Sequence, residues 1–365
     1  MTYHLDNQKE IEKVKENLLI FNSQRLHKES LILVDPTDIV KSKAKKMEGL
    51  SKVRDGSDGK CKIGYDVIDI VGVDKISNNP SVFPIYSELH SEKISEATKK
   101  SKIFDIILSI IVYSNNSGIF VMDRGFDDKR VIGELYEHDT SFIIRVKSNR
   151  VVFYNGEEHK ISKLVKKIKK RYIFRSGRTT IKAGICEIGI PLSRHKIKNP
   201  PLAKVKFITA DMITKNKKGK KKKSKLLLIV RLSDSDYNEF EICKLALKAY
   251  RLRWKIEEVH REIKVDFGWE KIQLLRFHRL QAMSMILWFV LGFIYELDEW
   301  KHLFAEAFSN LMLDKNNDLS ILNKFIYYRI VKVVSHCFSK IKKYAKNIIK
   351  KTKRKDIQLY LQLDF

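Results

Sequence analysis

Three acids and one helix face hold most of this sequence's capacity for chemistry. Between residues 240 and 267 the pattern is that of an amphipathic helix. Advancing about 100° per residue puts Tyr250, Arg253, Glu257, Arg261 and Lys264 on one face, with Leu252, Ile256, Val259 and Ile263 on the other. One side can pack on a neighbouring layer while the other presents a tyrosine, three cations and one carboxylate along roughly 20 Å of axis. A solvated charged stripe is the plain alternative. The weighting changes with Asp35 and Asp123, each of which follows a short apolar run, Leu31 to Val34 and Ile119 to Met122. If those runs are neighbouring strands and the helix packs beside them, Asp35, Asp123 and Glu257 converge. Converging carboxylates repel unless a cation neutralises them, and an all-oxygen donor set suits Mg²⁺ or Mn²⁺. Two such ions about 3.5–4 Å apart support in-line displacement at a phosphodiester. The cations and Tyr250 would then grip flanking phosphates.

Several of these positions have competing readings. Asp38, Asp66 and Asp69 compete with Asp35 as the first acid; Asp35 is favoured because Pro36 lacks an N–H and restricts its predecessor, so the strand is expected to stop there. Asp123 could cap the following helix, although Asp127 and Asp128 stand closer to its start. Arg124 suits either a phosphate or a carboxylate partner, and Gly125 is expected to supply a backbone conformation open only to glycine. Trp254 borders the polar face, as a packing residue or a DNA contact. His260 follows Glu257 by three, the spacing of di-iron carboxylate helices, but no second pair of that kind accompanies it.

The elements that must position these residues follow from periodicity. A charged helix is expected over 5–28, strands over 31–34, 63–73 and 82–90 with a turn at Asn78-Asn79-Pro80, a helix over 95–114, a strand over 119–122, a helix over 127–138 and a strand over 141–146. Strand–helix alternation of this kind indicates an α/β sheet with helices on its faces. Residues 151–230 break the pattern with short β-like runs between basic stretches, a β-rich insertion in which Lys220, Lys221, Lys222 and Lys223 read as an exposed hairpin tip. Helical patterning resumes near residue 238. The longest apolar run, Met283 to Tyr295, is shorter than the roughly 20 residues of a membrane span and reads as a buried core helix, so no membrane is expected.

The 365 residues carry 72 Lys+Arg against 44 Asp+Glu, a formal charge of +28. Residues 151–230 hold 23 basic and 4 acidic side chains, residues 331–365 hold 10 and 2, and the other 250 residues are balanced at 39 and 38. The excess therefore belongs to the insertion and the tail, which points to a polyanion, with nucleic acid first. Cys61, Cys186, Cys243 and Cys337 form no CxxC pair, which speaks against a zinc ribbon or a disulfide framework. With no signal-peptide pattern at the N-terminus, a cytoplasmic, reducing location is expected.

Tyr250, Arg253, Glu257 and Lys264, separated by two, three and six residues, resemble the C-terminal signature of the bacterial insertion-sequence-four family of DDE transposases. Arg253-Trp254 and Ile256-Glu257 match its usual wording. Val121-Met122-Asp123-Arg124-Gly125-Phe126 resembles its second-aspartate motif, and Val34-Asp35-Pro36-Thr37 its first. The resemblance covers roughly residues 30–295 and implies a ribonuclease H-like mixed sheet flanked by helices, with a β-rich insertion and a helical C-terminal tail. The implied organisation is an N-terminal helix (1–28), the first part of the catalytic domain (29–150), the basic insertion (151–232), the remainder with the acidic-motif helix (233–297) and a basic helical region (298–365). Asp35, Asp123 and Glu257 would hold the metals, Mg²⁺ or Mn²⁺ as two ions. Tyr250, Arg253, Lys264, Arg261, Arg124 and Lys220–Lys223 would contact DNA. The implied reaction is cut-and-paste: hydrolysis at the element's ends, then strand transfer by the freed 3′-hydroxyl into target DNA, with a homodimer acting on two ends and the nucleoid as the place of action. Family members usually carry a DNA-binding region ahead of the first aspartate, where only 34 residues stand here. A truncated, inactive remnant that at most binds DNA is the alternative.

Overall fold

The computed structural model describes residues 6, 8–54, 59–77, 80–192, 201–215, 220–233 and 236–296. Residues 1–290 form one compact unit; the second, 291–365, is described only as far as residue 296. The region expected over 298–365 and the Asn78-Asn79 turn lie outside the described residues.

The strands that position the candidate site are β1 (Leu31–Val40), β2 (Ser51–Arg54), β3 (Cys61–Val73), β4 (Val82–His90), β5 (Ile119–Met122) and β6 (Ser141–Arg145). β3 pairs antiparallel with β1, β2 and β4, while β1, β5 and β6 lie side by side in parallel. Parallel strands need cover on both faces, and Leu31–Val34, Ile119–Met122 and Phe142–Ile144 are accordingly buried throughout. Ile32, Val34, Phe120, Met122, Phe142 and Ile144 share a core with the apolar stripes of α1 (Gln8–Gln24), α2 (Lys99–Tyr113) and α3 (Lys129–Glu137). The alternate residues of these strands point to the other face, where α5 (Glu239–Leu252) and α6 (Trp254–Arg261) contact β1, β3, β5 and β6. This is the mixed α/β, ribonuclease H-like sheet flanked by helices that the sequence led us to expect.

The insertion extends the same sheet. It comprises β7 (Val151–Tyr154), β8 (Glu157–Lys160), α4 (Ile161–Lys167), β9 (Tyr172–Ser176), β10 (Thr179–Pro191), β11 (Leu202–Lys215) and β12 (Lys221–Arg231). β12 pairs antiparallel with β6, giving the order β2–β3–β1–β5–β6–β12–β11–β10–β7–β8, with β4 on β3 and β9 on β10.

Four local expectations change. β1 does not stop at Asp35 but runs to Val40 against β3, while its pairing with β5 ends at Val34–Met122. Where only one flank of a strand is still paired, a residue without an N–H is tolerated, which explains Pro36. The helix over 240–267 is interrupted at Arg253 and widens into a π-helical turn, Glu262–Asp266, with Phe267 N–H donating to the Glu262 carbonyl five residues back at 3.1 Å. Each such turn inserts a residue and rotates the next residues off the simple wheel; Gly268 at φ +62° then ends it. Lys221, Lys222 and Lys223 pair with Lys215, Thr214 and Ile213 and so lie in β12, because main-chain pairing continues where both side-chain faces are solvated. α7 (Phe277–Glu296) has the length and mean hydropathy, 1.4, of a bilayer-crossing helix, yet it packs a stripe of Phe277, Leu280, Ser284 and Trp288 into the fold. Ile286 and Phe289 face outward, so α7 is a core helix on one side only.

Candidate active site

Asp35 and Asp123 reach one place through strand register. Val34 on β1 and Met122 on β5 are the last partners of a parallel pair, so the residue after each, Asp35 still within β1 and Asp123 just beyond β5, stands where that pairing ends. Of the competing acids, Asp38 faces Asp66 and Asp69 faces Asp35 across the β1–β3 ladder; none of the three adjoins the end of β5. Both Asp35 and Asp123 line an open cleft of about 820 Å³ with the N-terminal turns of α2 and α3.

Asp123 also has a local role. Its Oδ1 accepts from Gly125 N–H at 2.7 Å, capping a single 3-10 turn, Arg124–Phe126, while Asp128 caps α3 through Arg130 N–H at 2.9 Å. Asp127 is buried and ties the turn to the segment after β6 through Lys147 N–H at 2.8 Å and the Arg150 side chain. Gly125 does not adopt a positive φ. Its smallness is what matters: a Cβ there would stand 2.9 Å from Asp123 Oδ1. Arg124 is exposed.

Glu257 is brought to the edge by a cation. Arg253, at the break between α5 and α6, donates through Nη1 to Asp35 Oδ2 at 2.8 Å and through Nη2 to Glu257 Oε1. Burial raises the Asp35 carboxyl above the ordinary carboxylate range; Arg253 and His260 oppose that, and Asp123 and Glu257 add to it. Burial works against the Arg253 charge, but Asp35, Glu257 and Tyr250 outweigh it and leave it above its usual value. Tyr250 is half-buried with its ring 6.0 Å from the Arg253 guanidinium carbon. Lys264 Nζ lies 3.7 Å from Asp38 Oδ1, Arg261 is exposed, and Trp254 is 61% exposed, which removes the packing reading for that ring.

The donor set suits a hard divalent cation. It is three carboxylates and no thiolate, and a guanidinium already sits between two of them, so the place favours positive charge. Among the described residues no three His, Cys, Asp or Glu side chains are gathered closely enough to form a ready-made metal cage. Burial pushes the Cys186 and Cys243 thiols up to about 12, which disfavours thiolate chemistry at those two positions.

Charge outside the site lies at the same edge. β12 runs antiparallel to β6, and Val146 N–H still meets the Leu227 carbonyl, so residues 221–226 extend beyond the C-terminal end of β6. Lys220–Lys223 and Lys225 are exposed there. Across the ladder Arg175, Thr180, Ile213 and Lys223 fall in one row, and Lys182, Asp211 and Lys225 in another. A basic end of four strands results, projecting past the edge at which Asp35 and Asp123 stand.

Sequence reasoning missed the ties that hold the π-helical turn. Lys41, just beyond β1, donates to the Trp269 and Ile272 carbonyls at 2.7 Å each, and Val40 N–H donates to Glu270 at 3.2 Å. No local pattern marks Lys41 for this role. Asp69, one of the rival first acids, lies with Oδ2 3.2 Å from His260 Nε2.

A comparison with curated proteins finds no match. The family model described as the transposase DDE domain matches residues 81–292, a span that includes Asp123, Glu257 and the insertion and begins after Asp35. With more than half of its residues matched, the chain belongs to the transposase DDE domain family.

Proposed function

We propose that this chain is a cut-and-paste transposase of the insertion-sequence-four type, cleaving DNA at the ends of its element and joining the freed 3′-hydroxyls to target DNA. Family membership supports the transposase class and, with it, a DNA substrate. The observation that carries the finer reading is the common edge: Asp35 and Asp123 stand where the parallel β1–β5 pairing ends, Arg253 bridges Glu257 and Asp35, and the basic end of β9–β12 projects past that edge.

In this reading Asp35, Asp123 and Glu257 hold divalent metal, as DDE transposases generally use. The ions supply activation of the attacking oxygen and stabilisation of the leaving oxygen. The protein's own part is positioning. Gly125 N–H fixes one oxygen of Asp123 and leaves the other free to ligate. Arg253 balances Asp35 and Glu257 and would be available to a DNA phosphate if metal took over that charge. Lys264, Arg261, Arg124 and Tyr250 would hold the phosphates beside the scissile one. Lys220–Lys223 would grip the duplex further out. Two ends must be processed together, so the working form is a homodimer on DNA, in the cytoplasm at the nucleoid. Cleavage and strand transfer on the element's own end DNA, with Mg²⁺ or Mn²⁺, should be robust in the wild type and abolished in Glu257→Gln; equal activity in the two would overturn the assignment.

A further inference from the structure

A buried pair behind the three carboxylates has no place in the reaction so far. Asp69 on β3 faces Asp35 across the β1–β3 ladder and is 2% exposed. His260 stands on α6 three residues after Glu257, one turn further along, and its side chain is 11% exposed. Asp69 Oδ2 and His260 Nε2 are 3.2 Å apart, within ion-pair reach, yet Asp69 Oδ1 and His260 Nε2 make no aligned hydrogen bond; nor does Trp288 Nε1, which lines the same enclosed cavity. A buried carboxylate so incompletely satisfied is a poor stabiliser of a core, since an apolar residue of similar size avoids the desolvation cost. Its position suggests what it does instead. α6 otherwise meets the sheet through Ile256 and Val259, apolar contacts that carry no hydrogen-bond direction. Asp69–His260 is a polar tie between the strand next to Asp35 and the helix that carries Glu257. Lys264 and Asp38 add a longer contact, 3.7 Å, beyond the end of α6, and Arg253 spans the acids themselves.

Resting on the reading of Asp35, Asp123 and Glu257 as metal ligands, we propose that Asp69 and His260 are positioning residues that hold the Glu257 helix at ligating distance from Asp35.

The test is Mn²⁺ affinity of the full-length protein, measured by titration without DNA beside the thermal midpoint, for wild type, Asp69→Asn, His260→Ala, His260→Gln and Asp123→Asn. Outer-shell partners of metal ligands typically change affinity by about ten- to a hundred-fold. Asp69→Asn and His260→Ala should weaken Mn²⁺ binding on that scale with DNA affinity unchanged, and His260→Gln, whose amide nitrogen can stand near the place of Nε2, should recover most of the loss. Wild-type affinity in Asp69→Asn and His260→Ala overturns the proposal. So does a loss that tracks the thermal midpoint down, extends equally to DNA binding and is not recovered in His260→Gln, because that is the behaviour of a packing residue. Failure of the underlying reading looks different: wild type and Asp123→Asn would then bind Mn²⁺ alike.

Discussion

The two halves of the sheet treat charge in opposite ways. Around β1 and β3 the acids lie beside cations: Asp35 and Glu257 share Arg253, Asp66 meets Lys99 at 2.6 Å and Asp38 faces Lys264. In the insertion 23 basic side chains face 4 acids, and the pairs among the described residues, such as Lys170–Asp211 and Lys206–Glu187, use only a fraction of them. A half-buried carboxylate needs a neighbour because desolvation raises the cost of its charge, whereas a lysine on a solvated strand end needs none. The difference suits the two proposed tasks of one continuous sheet: acids beside cations are a place where one cation can replace another, and an excess of lysines on exposed strand ends suits an anion.

The widest separation of the two regions should come from the acids. Asp123→Asn or Glu257→Gln should lower end cleavage by about a thousand-fold, equivalent to ~4 kcal/mol of transition-state stabilisation, with DNA affinity close to wild type; a parallel loss of DNA binding would mean that the regions are not separable. Replacing Lys220–Lys223 together by Gln should do the reverse. Salt dependence of DNA binding should flatten by about 0.9 for each phosphate no longer neutralised, up to roughly 3–4 in log–log slope, while cleavage at saturating DNA changes little. An unchanged slope returns those lysines to solvent.

A subtler probe is Gly125→Ala. The added methyl group crowds Asp123 Oδ1 and should reduce Mn²⁺ affinity by about ten-fold with little change in thermal midpoint; wild-type affinity would mean that the Asp123 carboxylate can turn without consequence. The smallest effect concerns protonation. Burial lifts Asp35 above its unfolded value of 3.8 and Arg253 restrains the lift, so Arg253→Gln should move the Asp35 titration, followed by NMR in metal-free protein, further upward. Because the folded value is raised, the native state holds the Asp35 proton longer than the unfolded chain. Its contribution to stability is neutral below the unfolded value and becomes unfavourable as pH rises through the folded one, more so in Arg253→Gln. A downward movement would contradict the compensation described for this region.

Legibility in the sequence divides along the same boundary between local and distant causes. β4 and β5 have the expected limits, because each is an apolar run bounded by turn residues, and the edge positions of Asp35 and Asp123 follow from those runs. The continuation of β1 past Pro36 does not, since it depends on β3, much later in the chain, holding one flank. Nothing local marks the break at Arg253 or the π-helical turn: residues 240–267 are uniformly compatible with a helix, and the interruption is fixed by distant partners, Asp35 for Arg253 and Lys41 for the Trp269 and Ile272 carbonyls. Pairing of β12 with β6 is likewise invisible, because strands of a sheet declare their faces in sequence but not their neighbours. The acids were therefore identifiable as residues, while Arg253 as their common partner and Asp69–His260 behind them required the fold.

Asp35 is the acid on which the proposed chemistry most depends, since the family match begins at residue 81 and three other aspartates stand close by. The decisive measurement is Mn²⁺-dependent strand transfer of a pre-cut element end by wild type, Asp35→Asn and Asp38→Asn, with DNA affinity measured in parallel. With Asp35 as the first ligand, Asp35→Asn should lose strand transfer by about a thousand-fold with DNA binding intact, and Asp38→Asn should retain most of it. Strand transfer surviving in Asp35→Asn but lost in Asp38→Asn would contradict that assignment.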